Sequence, residues 1–175
     1  DLDADGRAEI LIGPSVFGHD GQLKWQFPLS TNGQGQSLAV DLDGDGRMEV
    51  LYRGEVRDAD GTLLMQTPSV VDATVNYAFF APARLTGAAR PDIVISENTN
   101  RGNRLTAMRA DGSLIWQLGS PQVARVGMPL VLDADRDGVD EIFLPASGQL
   151  FNAAGEQQWS AGGTSAWTAR DFRAA

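Results

Sequence analysis

This sequence predicts an all-β fold made of four similar units, each of four short strands. Three observations predict it. An acidic motif begins at Asp1, Asp41 and Asp133, with a degenerate copy at Arg84. An Asp-Gly turn recurs in phase with it at Gly21, Gly61 and Gly112, and returns as Ala154-Gly155 in the last unit. No segment carries an apolar stripe at helical spacing.

Each unit opens on a strand and continues into the acidic loop. Asp1, Asp3, Asp5 and Glu9 set its spacing, repeated by Asp41, Asp43, Asp45 and Glu49 and again by Asp133, Asp135, Asp137 and Glu141, with Gly6, Gly46 and Gly138 at the sixth place. Carboxylates at alternate positions repel unless a cation neutralises them. An oxygen-only ligand set in a flexible loop suits Ca²⁺, at about three sites. The EF-hand spacing is excluded, because its twelfth place, where a glutamate is needed, holds Ile12, Tyr52 and Leu144. The second strand follows each loop at Ile10-Leu11-Ile12, Val50-Leu51-Tyr52 and Ile142-Phe143-Leu144.

After a connection come two further strands joined at the Asp-Gly turn, where the two-residue hairpin requires positive φ at both residues. Trp25, Met65, Trp116 and Trp159 stand four places after the turn glycines. Their equivalence favours packing between units over a carbohydrate-stacking platform. Spacings of 40, 43, 49 and 38 residues between loop starts, the last ending at Asp171-Phe-Arg173, match the period of a β-propeller. The units are 1–40, 41–83, 84–132 and 133–170, within a single propeller region, and a further unit starts at 171–175. The expectation is an arc of a larger ring of seven or eight blades, completed by further blades or subunits.

Composition narrows function. The chain has 175 residues, sized for one domain, and its net charge of −9 argues against a nucleic-acid partner. Setting aside the 12 loop carboxylates leaves 11 acids against 14 bases, so the excess acidity serves the loops. No apolar run reaches the roughly 18 residues of a membrane span, and the opening Asp-Leu-Asp-Ala-Asp is unlike a signal peptide. With no cysteine and a single histidine, His19, expected at the surface, thiol chemistry is absent and imidazole chemistry is minimal. In the third unit the distance from loop start to turn glycine is 28 residues against 20, 20 and 22 elsewhere. The excess falls on Ser96–Arg104, so Asn98, Asn100, Arg101, Asn103 and Arg104 form a candidate recognition loop.

The stretch Asp41-Leu-Asp-Gly-Asp-Gly-Arg-Met-Glu-Val and its partners at 1–10 and 133–142 resemble the FG-GAP or VCBS-type repeat of integrin α-subunit propellers and many bacterial surface and secreted proteins. The resemblance implies Ca²⁺ held by the first, third, fifth and ninth side chains and by the seventh carbonyl, here that of Arg7, Arg47 and Val139. Arg84 and Ala88 depart from that pattern. The resemblance further implies a secreted or cell-surface binding or scaffolding propeller, engaged in adhesion or in recognition of a protein or carbohydrate ligand. Gly33-Gln-Gly35-Gln and the loop after it are also similar to calcium-dependent rhamnogalacturonan lyases, which makes polysaccharide cleavage the alternative. No catalytic base is identified for it.

Overall fold

The computed structural model describes residues 1–28, 36–67 and 75–161, and among them it contains strands and no helix. Four antiparallel sheets follow one another along the chain. The first comprises β1 (Ile10–Ile12), β2 (Ser15–Phe17) and β3 (Leu23–Gln26). The second comprises β4 (Leu38–Val40), β5 (Glu49–Tyr52), β6 (Glu55–Arg57) and β7 (Leu63–Gln66). The third holds β8 (Val75–Ala83), β9 (Asp92–Thr99), β10 (Gly102–Met108) and β11 (Leu114–Gly119). The fourth holds β12 (Leu130–Leu132), β13 (Glu141–Leu144), β14 (Gln149–Phe151) and β15 (Gln157–Ser160). In every sheet each strand pairs with its neighbour in sequence, as expected from strand, loop, strand and hairpin.

Apolar cores lie between successive sheets, which is why the central strands read as unbroken apolar runs. In β5, Val50 and Tyr52 join Val16 and Phe27 of the first sheet, while Leu51 turns the other way to join Phe80, Ile93 and Ile95 of the third. Val94 and Leu105 of the third sheet likewise meet Ile142, Leu144 and Phe151 of the fourth. Alternation along a strand thus feeds two cores at once. Among the described residues no such core joins the first sheet to the fourth, and closure into a ring is not seen. The expected strand at 165–170 and the further unit at 171–175 lie outside the described residues.

The recurring tryptophans pack between sheets. Trp25 Nε1 donates to the Ala59 carbonyl at 2.8 Å, and Trp116 Nε1 donates to that of Ala153 at 2.7 Å. Each ring covers the turn glycine of the next sheet so closely that a Cβ on Gly61 or Gly155 would lie 2.9 or 2.8 Å from it. Met65 covers Gly112 in the same way, at 2.9 Å.

The turn itself differs from the two-residue hairpin expected. Only its glycine has positive φ (+78° at Gly21), and Gly18 N–H donates to Gln22 O, so three residues form the loop. A register shift follows at Val16/Phe17, Val56/Arg57, Ala107/Met108 and Leu150/Phe151. The aspartate serves as a hydrogen-bond acceptor: Asp20, Asp60 and Asp111 take the N–H two residues on at 2.9–3.0 Å. This is a three-residue loop with a bulge at the left-handed glycine, favoured because Asp can bond its own backbone.

Candidate metal centres

The loops at Asp41 and Asp133 join the first two strands of their sheets, the loop at Asp1 leads into β1, and antiparallel order puts each at the same end as the turn glycine of its sheet. An Arg47–Asp58 ion pair of 3.9 Å and a 3.5 Å contact between Arg7 and the exposed His19 bridge the two features. The three loops share an internal frame. The sixth-place glycine N–H donates to the first aspartate (Gly6 to Asp1, Gly46 to Asp41, Gly138 to Asp133) at 2.9–3.1 Å. The N–H of Arg7, Arg47 or Val139 donates to the fifth-place aspartate at 2.8 Å. The closing glutamate accepts the N–H of the second residue: Leu2 to Glu9 at 2.7 Å, Leu42 to Glu49 at 2.6 Å and Ala134 to Glu141 at 2.7 Å.

This frame gathers carboxylate oxygens within 4.8 Å of one another from Asp1, Asp3 and Asp5, from Asp41, Asp43 and Asp45, and from Asp133, Asp135 and Glu141. Glu9, Glu49 and Asp137 are the predicted ligands outside these groups. Asp3 Oδ1 and Asp133 Oδ1 are buried without a hydrogen-bond partner, a costly state for a carboxylate oxygen unless a cation meets it. The residues present therefore fit a hard divalent ion.

The loops differ electrostatically. In the first, Lys24 of β3 bonds Asp3 at 2.7 Å and Glu9 at 3.1 Å. The Lys24 hydrogen bond holds the Asp3 carboxyl below its usual range, and the Asp3 bond in turn raises Lys24. Burial pushes Glu9 up, but the bonds from Leu2 and Lys24 outweigh it and leave it low. Glu49 has no such lysine; burial, aided by Asp43, Asp41 and Asp45, raises it despite the Leu42 bond.

The degenerate loop is held without that acid cluster. Asp92 accepts the N–H groups of Leu85 and Thr86 at 3.0 and 2.8 Å and the Thr86 hydroxyl at 2.9 Å, repeating the closing-glutamate bond. Arg84, at the first-ligand place, bonds Asp140 of the fourth sheet's loop through its N–H at 2.6 Å and its guanidinium at 3.3 Å.

Three features were not anticipated from sequence. Ala4, Gly44 and Arg136 at the fourth loop place have φ of 60°, 80° and 67°, a conformation suited to glycine and strained in the other two. Leu2, Leu42 and Leu85 at the second place are buried in the cores between sheets, so these three loops are plugged into junctions, while Ala134 at the same place is exposed; the recurring leucine was the signal. Lys24 has no counterpart in the other units, so no repeat comparison reveals it.

The segment expected as an inserted loop is an extension of β9 and β10 around a two-residue tip. Asn98 and Asn103 bond each other at 2.9 Å, and Asn76 bonds Asn98 at 2.9 Å. Asn103 also bonds the Ala124 carbonyl at 2.8 Å, while Arg104 pairs within the ladder, leaving Asn100 and Arg101 at the tip. Polar side chains paired across strands explain why the segment read as loop. The tip lies at the end of the sheet opposite the acidic loops. At that end a cavity of about 830 Å³ is lined by Leu11, Gln36, Ser37, Val126 and the edge-on pair Tyr77 and Phe79, 5.8 Å apart.

Among the described residues no helix is long and apolar enough to cross a membrane. The chain matches no family model and no curated protein. Among solved structures it is similar to the V. cholerae biofilm matrix protein Bap1, at 25% identity and a TM-score of 0.56 over 70% of this chain and 20% of that one. It is similar in fold to a rhamnogalacturonan lyase of Bacillus licheniformis, at 22% identity and a TM-score of 0.64 over 91% of this chain and 41% of that one. The rhamnogalacturonan lyase YesW gives 18% identity and a TM-score of 0.61, again over 91% and 41%. The chain thus spans less than half the length of each of these proteins, and with them it shares an all-β architecture.

Proposed function

We propose that this chain is part of a calcium-stabilised β-propeller of the FG-GAP or VCBS type, acting outside the cell in binding or scaffolding. The observation that carries this reading is the threefold recurrence of one carboxylate frame, with partnerless buried oxygens in two of its copies and its second residue buried between sheets in two. Ca²⁺ at Asp1, Asp41 and Asp133 would neutralise each frame; millimolar extracellular calcium keeps even weak sites of this kind filled. The biofilm matrix neighbour supports a scaffolding role. Ligand recognition is assigned to the opposite end, around Tyr77, Phe79 and the β9–β10 tip.

Fold likeness to the lyases supports a second reading, polysaccharide cleavage. The side chains lining the 830 Å³ cavity include no Lys, Arg or His that would meet the carboxylate of a pectic sugar. The test is incubation with pectic polysaccharides in calcium, following both retention on the polysaccharide and the absorbance of unsaturated products. Retention or neither signal is compatible with scaffolding; sustained product formation would replace it with the lyase reading.

The ion pair of Lys24 makes a further expectation. Lys24→Met should tighten calcium at the first loop by about two- to fivefold, the effect of an exposed ion pair. The other two loops should be unchanged, and calorimetric titration resolves the three. Weaker binding at the first loop would show that Lys24 supports the frame instead of competing with the ion.

A further inference from the structure

The third unit departs from the others at two places that the repeat brings together. The seventh loop place is Arg7, Arg47, Arg90 and Val139 in chain order. The residue that opens the turn is Gly18, Asp58, Arg109 and Asn152, its N–H donating in each sheet to the carbonyl four residues on. In the second sheet these two places hold an arginine and an aspartate, and Arg47 pairs with Asp58 at 3.9 Å. In the third they hold two arginines, both exposed. Among the described residues neither guanidinium enters an ion pair, and Arg109 reaches the Ser113 hydroxyl at 3.3 Å.

Arg90 and Arg109 line one cavity of about 340 Å³, formed where the degenerate loop meets the turn. Its apolar lining is Ala88, Ala89 and Ala110, which leave space between the two cations. No metal ion competes for it, since Arg84, Thr86 and Ala88 stand where the other loops have their first three carboxylates. Two acids also border the cavity. Asp92 is buried and held by the N–H groups of Leu85 and Thr86, while the exposed Asp111 accepts the Ser113 N–H at 2.9 Å.

Two guanidinium groups on one small cavity, without the aspartate that pairs the same arginine in the second sheet, form a receptor for one oxyanion. The rest of the lining selects its carrier. A polyanion or an acid-rich peptide would be opposed by Asp111 and by the net charge of −9. A single carboxylate on a hydroxylated ring meets less opposition, because Asp111 can accept hydroxyl protons and the alanines can cover ring C–H groups.

We propose that this cavity binds the carboxylate of an acidic sugar between Arg90 and Arg109. It is a second recognition site, at the acidic-loop end of the third sheet and apart from Tyr77 and Phe79. It rests on the extracellular binding reading only for where such a sugar is met.

Amide chemical-shift titration of the full chain in calcium with glucuronate tests this. The signals of residues 88–90 and 110–112 should shift saturably, glucose should leave them in place, and succinate, which lacks hydroxyls, should bind more weakly. Arg109→Asp recreates the pair of the second sheet and should weaken glucuronate by about tenfold or more. Arg90→Gln should weaken it by about three- to tenfold and keeps the test independent of whether the first variant folds. Absence of a saturable shift, equal binding of glucose or succinate, or titrations unchanged in both variants would each overturn the proposal. Shifts confined to the loops at Asp1, Asp41 and Asp133 would do so too, because the sugar acid would then bind through calcium. Shifts confined to Tyr77 and Phe79 would leave the binding reading standing and remove this site.

Discussion

Chelating calcium is expected to lower the melting temperature of this chain, by roughly 5–10 °C for each loop that had been saturated. Free ion at 100 times a loop's dissociation constant adds about 2.7 kcal/mol, and for a domain of this size each kcal/mol shifts melting by about 2–4 °C. The response should be global, since Leu42 is 2% exposed in the core between the second and third sheets while its N–H is held by Glu49 of the same loop. Losing the ion leaves Asp41, Asp43 and Asp45 repelling one another beneath that plug. Asp43→Ala combined with Asp45→Ala should therefore remove one loop's share of the chelator response. With chelator present the double variant should melt at or slightly above the native chain, because the repulsion has gone. Scanning calorimetry with and without chelator separates the two conditions, and superimposed native curves would eliminate structural calcium.

Trp116→Ala should be the most damaging single change at a sheet junction, costing about 2–4 kcal/mol for a half-buried aromatic that also loses a hydrogen bond. The ring seals the third sheet to the fourth by covering Gly155 and donating to Ala153. Gly155→Ala attacks the same contact from the other side: at φ +81° it strains the backbone, and its methyl would stand 2.8 Å from the ring. Alone it must both bear the left-handed strain of about 1–2 kcal/mol and displace Trp116. In the Trp116→Ala background only the backbone component remains, so the two changes should couple by about 0.5–3 kcal/mol. Urea unfolding of the four proteins measures this. Additive effects would mean that the ring does not rest on the glycine.

The local motifs were legible because each is decided within a few residues. Asp-x-Asp-x-Asp-Gly followed by an apolar run announces a cation loop feeding a strand, and the loop geometry agrees down to the shared Gly6, Gly46 and Gly138 bonds. The Asp-Gly turn was located correctly but given the wrong form, since its loop length depends on strand pairing and bulge as well as on the dipeptide. The polar run around Asn98 and Asn103 read as an insertion because its partners, Asn76 and the Ala124 carbonyl, lie more than 20 residues away in sequence.

By itself, then, the sequence determined the all-β class, the repeat and the three acidic loops, because period-two alternation and charge spacing are properties of the chain's own backbone. Tertiary structure decided what those elements meet. It placed Lys24 in the first loop alone, set Arg84 against Asp140, and left Ile10 and Ile12 exposed where the same positions in the second and fourth sheets are buried, and Trp159 exposed where its equivalents are half-buried. The physical reason is that equivalent residues carry identical local instructions in every unit, while burial and ion pairing depend on which sheet stands opposite, a relation between segments that no single repeat encodes.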